Sequence, residues 1–170
     1  MIWQTLQDTA QPRARYIAKA LLLMFPASVL ISVLLSIVVY LFFPGYFTED
    51  ATPDPTLTQL IIDSLGVMVI PPLVETLIMI PIFKGLRYIS SHPLFLMLGS
   101  AGIWACLHSL AIPLWGFAVF WPFCVMSYAY LQFEKQEGLK SAYVMTASIH
   151  FCNNVLAGGL LFVISLYFLK

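Results

Sequence analysis

The sequence predicts an all-α, polytopic membrane helix bundle of about five transmembrane helices, and three observations point to it. Hydrophobic residues make up 61% of the 170 and charged residues only 9%, against about 25% charged in a soluble domain whose surface must stay wet. The charges also cluster: none lies from Ala20 to Phe43, from Pro93 to Phe133, or from Ser141 to Leu169. At roughly 1.5 Å of rise per helical residue, each stretch can cross a hydrocarbon core of about 30 Å, and the second can cross it twice. The third observation is the placement of the basic residues. Arg13, Arg15 and Lys19 precede the first span, Lys84 and Arg87 follow the second, and Lys135 and Lys140 lie between the fourth and fifth. The loop Pro44–Thr56 carries only Glu49, Asp50 and Asp54. By the positive-inside rule this alternation predicts a cytoplasmic N-terminus, an external C-terminus and a multi-pass protein of the cell (inner, plasma) membrane.

Taken in order, the first helix is expected over about Ile17 to Phe43, closed by the breaker pair Pro44-Gly45. Its apolar run is too long for a secretory h-region and no small-residue cleavage site follows Phe43, so it reads as a retained anchor. The second segment, Leu57 to Phe83, is long for one span, and Pro71-Pro72 predicts a kink or break inside it. The third is expected over Leu94 to Ala111, the fourth over Phe117 to Phe133, with a wet connection at Glu134–Lys140. The fifth, Ser141 to Leu169, holds Gly158-Gly159 and is expected to tilt or bend. Cys106, Cys124 and Cys152 all fall inside spans, which argues against a disulfide framework and for small buried hydrophobes. The whole chain, 1–170, reads as a single integral membrane domain. The net charge of zero says nothing about nucleic acid, no basic tail argues for it, and none is expected as a partner.

An ionisable side chain at mid-span costs roughly 2.5–3.5 kcal/mol on insertion scales, so each one needs a reason. Glu75, His108, His150, Asn153 and Asn154 stand out. Asp63 lies nearer a boundary, and His92, in Ser-Ser-His-Pro, reads as an ordinary loop residue. His150 and Asn154 are four apart, hence on one helix face; Trp104 and His108 share that relation on the third helix. Asn153 is offset and free to bond a neighbouring helix. Polar residues also glue transmembrane helices together, at about 1–2 kcal/mol or less each. A Glu and two His on three separate helices go beyond glue, and the economical arrangement is convergence on one internal site. For Trp104, Trp115 and Trp121, packing or an interfacial belt is the simpler reading.

Pro72-Leu73-Val74-Glu75-Thr76, then Trp104-Ala105-Cys106-Leu107-His108, then His150-Phe151-Cys152-Asn153-Asn154 resemble, in order, the three motifs of the CAAX protease and bacteriocin-processing (CPBP, or Abi) family, which includes the type II CAAX prenyl endopeptidases. The family pattern is a proline followed by Glu-Glu-x-x-x-Arg, an aromatic-x-x-x-His, and a His-x-x-x-Asn. The resemblance covers a protease-like core of about 64–160. Two positions depart from it: the second Glu is Thr76, and the Arg position falls on Ile80. The first Glu, which the family is thought to use for chemistry, is retained as Glu75.

The resemblance implies an intramembrane endopeptidase that hydrolyses a peptide bond of a membrane-associated or lipidated peptide. In it Glu75, strengthened as a base by apolar surroundings, activates a water; His108 orients that water or shares its proton; His150 and Asn154 donate to the oxyanion. Family members are also described as metalloproteases, in which case His108 and His150, with Glu75, would bind zinc; the metal-free version is preferred here. Its partners would be membrane lipid and a peptide or protein substrate. Two other classes remain open on the sequence. One is a non-catalytic membrane binding or bacteriocin-immunity protein of the same family. The other is a b-type cytochrome with His108 and His150 as axial haem ligands.

Overall fold

The computed structural model describes residues 2–43 and 56–168. After a short 3₁₀ turn (Ile2–Leu6) come five helices: α1 (Arg13–Phe42), α2 (Leu57–Arg87), α3 (Pro93–Ala111), α4 (Trp115–Glu137) and α5 (Leu139–Phe168), with no strand among the described residues. The protein is an all-α membrane helix bundle. Four of the helices, α1 to α4, are long and apolar enough to cross a bilayer; α5 runs for 30 residues. Large apolar side chains such as Leu30, Leu34, Ile62, Ile70 and Leu110 stand exposed along the outer faces, as lipid requires and water would not tolerate. The Pro44-Gly45 breaker and the acidic residues of the first loop lie outside the described residues.

Each helix boundary has a local cause. Thr56 and Gln59 form a reciprocal capping box at the start of α2, which satisfies two of the four N–H groups a helix start leaves open. Pro93 sits at the first position of α3, where its missing N–H costs nothing. Between α3 and α4 the chain reverses through Leu114 in the left-handed region, at φ 71°. Gly116 then presses directly on α3: a Cβ there would overlap the Ala105 carbonyl and the Ser109 hydroxyl, and its N–H donates to Ser109 Oγ at 3.1 Å. The wet connection expected at Glu134–Lys140 shrinks to Gly138 alone, at φ 88°. The polar residues before it continue α4 as a solvated last turn, and only glycine makes the sharp reversal without strain.

Helix α4 lies at the centre, packed on α1, α3 and α5, while α2 packs on α5 and α3. Aromatic pairs set this core: Phe83 stacks on Tyr130 at 4.7 Å, Trp104 on Phe123 at 5.0 Å, and Tyr16 meets Phe133 edge-on at 4.8 Å. Such pairs add about 0.5–1.5 kcal/mol beyond their burial. Gly158 lets α5 approach α2, where a Cβ would come within 2.7 Å of Met68 Cε. Of the cysteines, only Cys124 is buried; Cys106 is exposed on the outer face of α3 and Cys152 is half-buried, so the expectation of three buried thiols holds for one.

One end of the bundle is tied by ions. Arg13 grips Glu137 through both guanidinium nitrogens, Nη1 to Oε1 at 3.0 Å, and Arg87 grips Glu134 likewise, Nη1 to Oε1 at 3.1 Å. Gln136 reaches the N-terminal segment, donating to the Gln7 carbonyl at 2.9 Å, and the Tyr16 hydroxyl donates to the Leu6 carbonyl at 3.0 Å. Planar guanidinium–carboxylate forks fix geometry as well as charge, so the starts of α1 and the ends of α2 and α4 share one level.

The close seat of Gly116 generates a stability test. Gly116→Ala should destabilise the fold by roughly 1–3 kcal/mol, because the obstacle is backbone and cannot move aside. Gly85→Ala, where a Cβ meets open space, should leave stability unchanged or raise it. Thermal unfolding of the two variants in detergent reads the difference directly.

Candidate functional site

Prolines inside the helices explain how two of the polar residues are used. Pro71 and Pro72 do not break α2, which runs unbroken from Leu57 to Arg87. A proline supplies no N–H to the carbonyl four residues back, and in lipid that carbonyl has no water to turn to. Pro71 thereby frees Val67, and Asn154 of α5 donates its Nδ2 to the Val67 carbonyl at 3.0 Å. Pro122 of α4 frees Ala118, and Ser28 of α1 donates to it at 3.0 Å. Beside Pro26 of α1, Trp121 Nε1 donates to the Leu23 carbonyl at 2.8 Å.

An unbroken α2 still brings the three ionisable residues to one depth, because the charged end is the common reference. Glu75 lies twelve residues before Arg87, His108 fifteen after Pro93, and His150 eleven after Leu139. At about 1.5 Å per residue these are roughly 18, 22 and 16 Å from that end, near mid-membrane. The surplus length of α2 lies on the opposite side, toward Thr56.

The three side chains converge. Glu75 Oε1 is 3.9 Å from His108 Nε2, and Glu75 Oε2 is 3.8 Å from His150 Nε2. Both separations exceed a direct hydrogen bond and suit closure by a single water. His108 Nδ1 lies 2.8 Å from the Trp104 carbonyl. A carbonyl only accepts, so Nδ1 donates to it and Nε2 is the ring nitrogen turned toward the carboxylate. A water placed between Nε2 and Oε1 can bond to both across the 3.9 Å gap. Glu75 Oε2, His150 Nδ1 and Asn153 Oδ1 are buried without a hydrogen-bond partner, each a deficit of about 1–3 kcal/mol unless something fills it.

All of these groups border one cavity of about 850 Å³, into which Glu75, His108, His150, Asn153 and Asn154 project. The remaining wall comes largely from α1 and α4, including Ser32 and Ser36, Val33, Val119 and Met126. That is the size and the largely apolar character of a ligand site with a few convergent polar groups. Phe123 of α4 packs against both imidazoles, with ring centres at 5.4 Å from His108 and 5.8 Å from His150, and Trp115 meets His108 edge-on at 5.0 Å. These contacts hold the two rings in place; nothing in the sequence distinguished Phe123 from the other aromatics of its span.

The residues set aside from sequence fall outside. His92 caps the start of α3 and is exposed, as is Asp63. Thr76 is fully buried and Ile80 packs against the core, so neither position adds a charge to the site. Asn154 directs one of its two amide N–H groups to the Val67 carbonyl, so it ties α5 to α2 as well as bordering the cavity. The zinc alternative would use the same Glu75, His108 and His150, which as they stand are not among any group of three His, Cys, Asp or Glu close enough to hold a metal ion among the described residues. The haem alternative fits no better, because both Nε2 atoms face the Glu75 carboxylate, where a macrocycle needs clear space. No family model, curated protein or solved structure matches the chain.

The Asn154–Val67 bond gives a double-mutant test. Asn154→Leu should cost about 1–3 kcal/mol of stability by leaving the Val67 carbonyl without a donor where no water replaces it. In a Pro71→Ala background, where residue 71 supplies its own N–H, the same change should cost much less. Equal losses in both backgrounds, read by denaturation in detergent, would mean that the proline and the asparagine act independently.

Proposed function

We propose that this chain is an intramembrane endopeptidase in which Glu75 activates a water for attack on a peptide bond. The observation that carries the reading is one carboxylate flanked on both oxygens by imidazole Nε2 atoms, at mid-depth, in an apolar cavity. The water held between Glu75 Oε1 and His108 Nε2 loses a proton to the carboxylate as its oxygen attacks the carbonyl carbon. His150, with no bond fixing its tautomer, turns an N–H toward the developing oxyanion. Glu75 then returns the proton to the leaving nitrogen as the C–N bond breaks. Fixed donors act strongly where solvent is excluded. The resemblance to the CPBP family supports the same assignment, with Glu75, His108 and His150 as its catalytic positions and a membrane-associated or lipidated peptide as its substrate class.

The proposed setting is the plasma (inner) membrane, with the charged end of the bundle in the cytoplasm. Arg13, Arg15, Lys19, Lys84, Arg87, Lys135 and Lys140 all fall at helix ends on that one side, which supports the orientation.

Purified full-length protein in nanodiscs, offered quenched fluorogenic peptides with apolar cores, with and without a lipid anchor, tests the activity. Glu75→Gln should lower hydrolysis by at least about 10²-fold while folding survives. His150→Ala should lower it by roughly 10²–10³-fold, and His92→Ala should change nothing. Full activity in Glu75→Gln would end the peptidase reading; activity lost to a chelator and restored by zinc would replace the water activation described above. For orientation, Lys140→Cys on a cysteine-free background should react only with reagent inside the cell and Ile112→Cys only with reagent outside. The reverse pattern would invert the topology.

A further inference from the structure

The Oδ1 of Asn153, a residue of the cavity wall, is buried without a partner, and neither the water activation nor the helix packing uses it. Its direction follows from a chain of hydrogen bonds that begins at a missing one. Pro71 has no N–H, so the Val67 carbonyl needs a donor, and a carbonyl can only accept. That requirement turns Asn154 so that its Nδ2 faces Val67, at 3.0 Å, and leaves its Oδ1 as an acceptor. Asn153 Nδ2 approaches that Oδ1 at 3.5 Å. With one of its N–H groups directed at Asn154, Asn153 turns its Oδ1 away from Asn154, and that atom is buried, without a partner, on a residue of the cavity wall. A side-chain amide is ordinarily free to exchange its two ends; here the order of donors and acceptors permits one orientation.

We propose that Asn153 is a substrate-binding residue, whose Oδ1 accepts a hydrogen bond from a main-chain N–H of the peptide in the cavity. The ligand must bring a donor, because an acceptor such as an ester or a phosphate oxygen would face another oxygen. It must also tolerate apolar walls, which a peptide amide between apolar side chains does and a cation does not. A buried oxygen with no partner is costly when the cavity is empty and is satisfied when such a donor arrives, so it discriminates among ligands by what they lack as much as by what they carry. In this arrangement Asn154 and Pro71 are positioning residues that act through Asn153. The inference rests on the peptidase reading for the nature of its ligand, but it concerns binding and is tested without turnover.

The test uses full-length Glu75→Gln protein in nanodiscs and a fluorescent apolar octapeptide, with binding followed by anisotropy. A matching set of peptides has each amide N–H replaced in turn by an ester oxygen. One ester position should weaken binding about tenfold or more, and the others should not. In Asn153→Ala the all-amide peptide should bind about tenfold more weakly, and the sensitive ester position should lose its effect. Asn153→Asp, which keeps an acceptor, should restore the ester sensitivity. Pro71→Ala, which frees Asn154 to turn, should blunt it in a protein whose Asn153 is intact. Asn153→Ala that unfolds would leave the last two variants to decide. Equal ester sensitivity with and without Asn153, or no binding of any peptide in the set, would overturn the proposal. Tight, Asn153-dependent binding without hydrolysis by the protein carrying Glu75 would instead retain it and remove the peptidase reading.

Discussion

In hydrocarbon a backbone carbonyl without a donor has no solvent to turn to, and much of this structure follows from where the chain creates such carbonyls. Prolines inside α1, α2 and α4 remove N–H groups from the helical ladder. Ser28 answers Pro122 and Asn154 answers Pro71, while Trp121 adds a bond from α4 to the Leu23 carbonyl beside Pro26. Two of these bonds join α1 and α4 in opposite directions, and the third joins α5 to α2. Helix association in lipid lacks the hydrophobic driving force available in water. A carbonyl that only one partner can satisfy supplies both attraction and register, so the prolines specify the packing they would otherwise weaken.

The same constraint explains why a polar cluster can exist at mid-membrane. Glu75 follows the proline pair on α2, and Asn154, which answers Pro71, is on the same helix face as His150. Fixing α5 to α2 at Val67 therefore also sets His150 opposite the Glu75 carboxylate. At the other end of these helices the Arg87–Glu134 and Arg13–Glu137 pairs hold α1, α2 and α4 at one level. Exposed ion pairs add little stability, typically 0–1 kcal/mol, but here they mark a shared plane from which the depths of the ionisable residues are measured. Between the charged plane and the bond to Val67, α2 has little freedom to slide or turn, and Glu75 is on the stretch held from both sides.

The cavity itself depends on α1. Near the charged end α1 is packed tightly, with Tyr16, Ala20 and Met24 buried; farther along, Ser32, Val33 and Ser36 line open space against α4 and α5. The 3₁₀ turn before it adds to the tight end, where Trp3 rests on Trp121 at 5.6 Å and on Tyr128 at 4.8 Å. A helix clamped at one end and facing a cavity along the rest leaves room for a ligand beside buried, unpartnered oxygens and nitrogens. Those atoms give up stability when unoccupied, which is the pattern of a site arranged for something other than folding.

Composition and the spacing of charges determined that this is a bundle of membrane helices, since in a bilayer a charge-free run of sufficient length has few alternatives to a spanning helix. The polar residues that converge were legible too, because Glu75, His108 and His150 are too costly in lipid to go unexplained. What could not be read was anything that depends on which atom faces which. The proline pair predicted a disturbed ladder in α2, yet the donor that meets the freed Val67 carbonyl comes from another helix, and sequence spacing within α2 holds no trace of Asn154. The seven residues Glu134–Lys140 looked like a loop by polarity, but a solvated helix end has the same composition, and only the φ of Gly138 places the turn. Asn153 and Asn154 are adjacent and identical in the sequence. Tertiary contacts alone made one a tie to Val67 and left the other an open acceptor, because a hydrogen bond's direction is set by its partner's lone pairs and not by the residue's name.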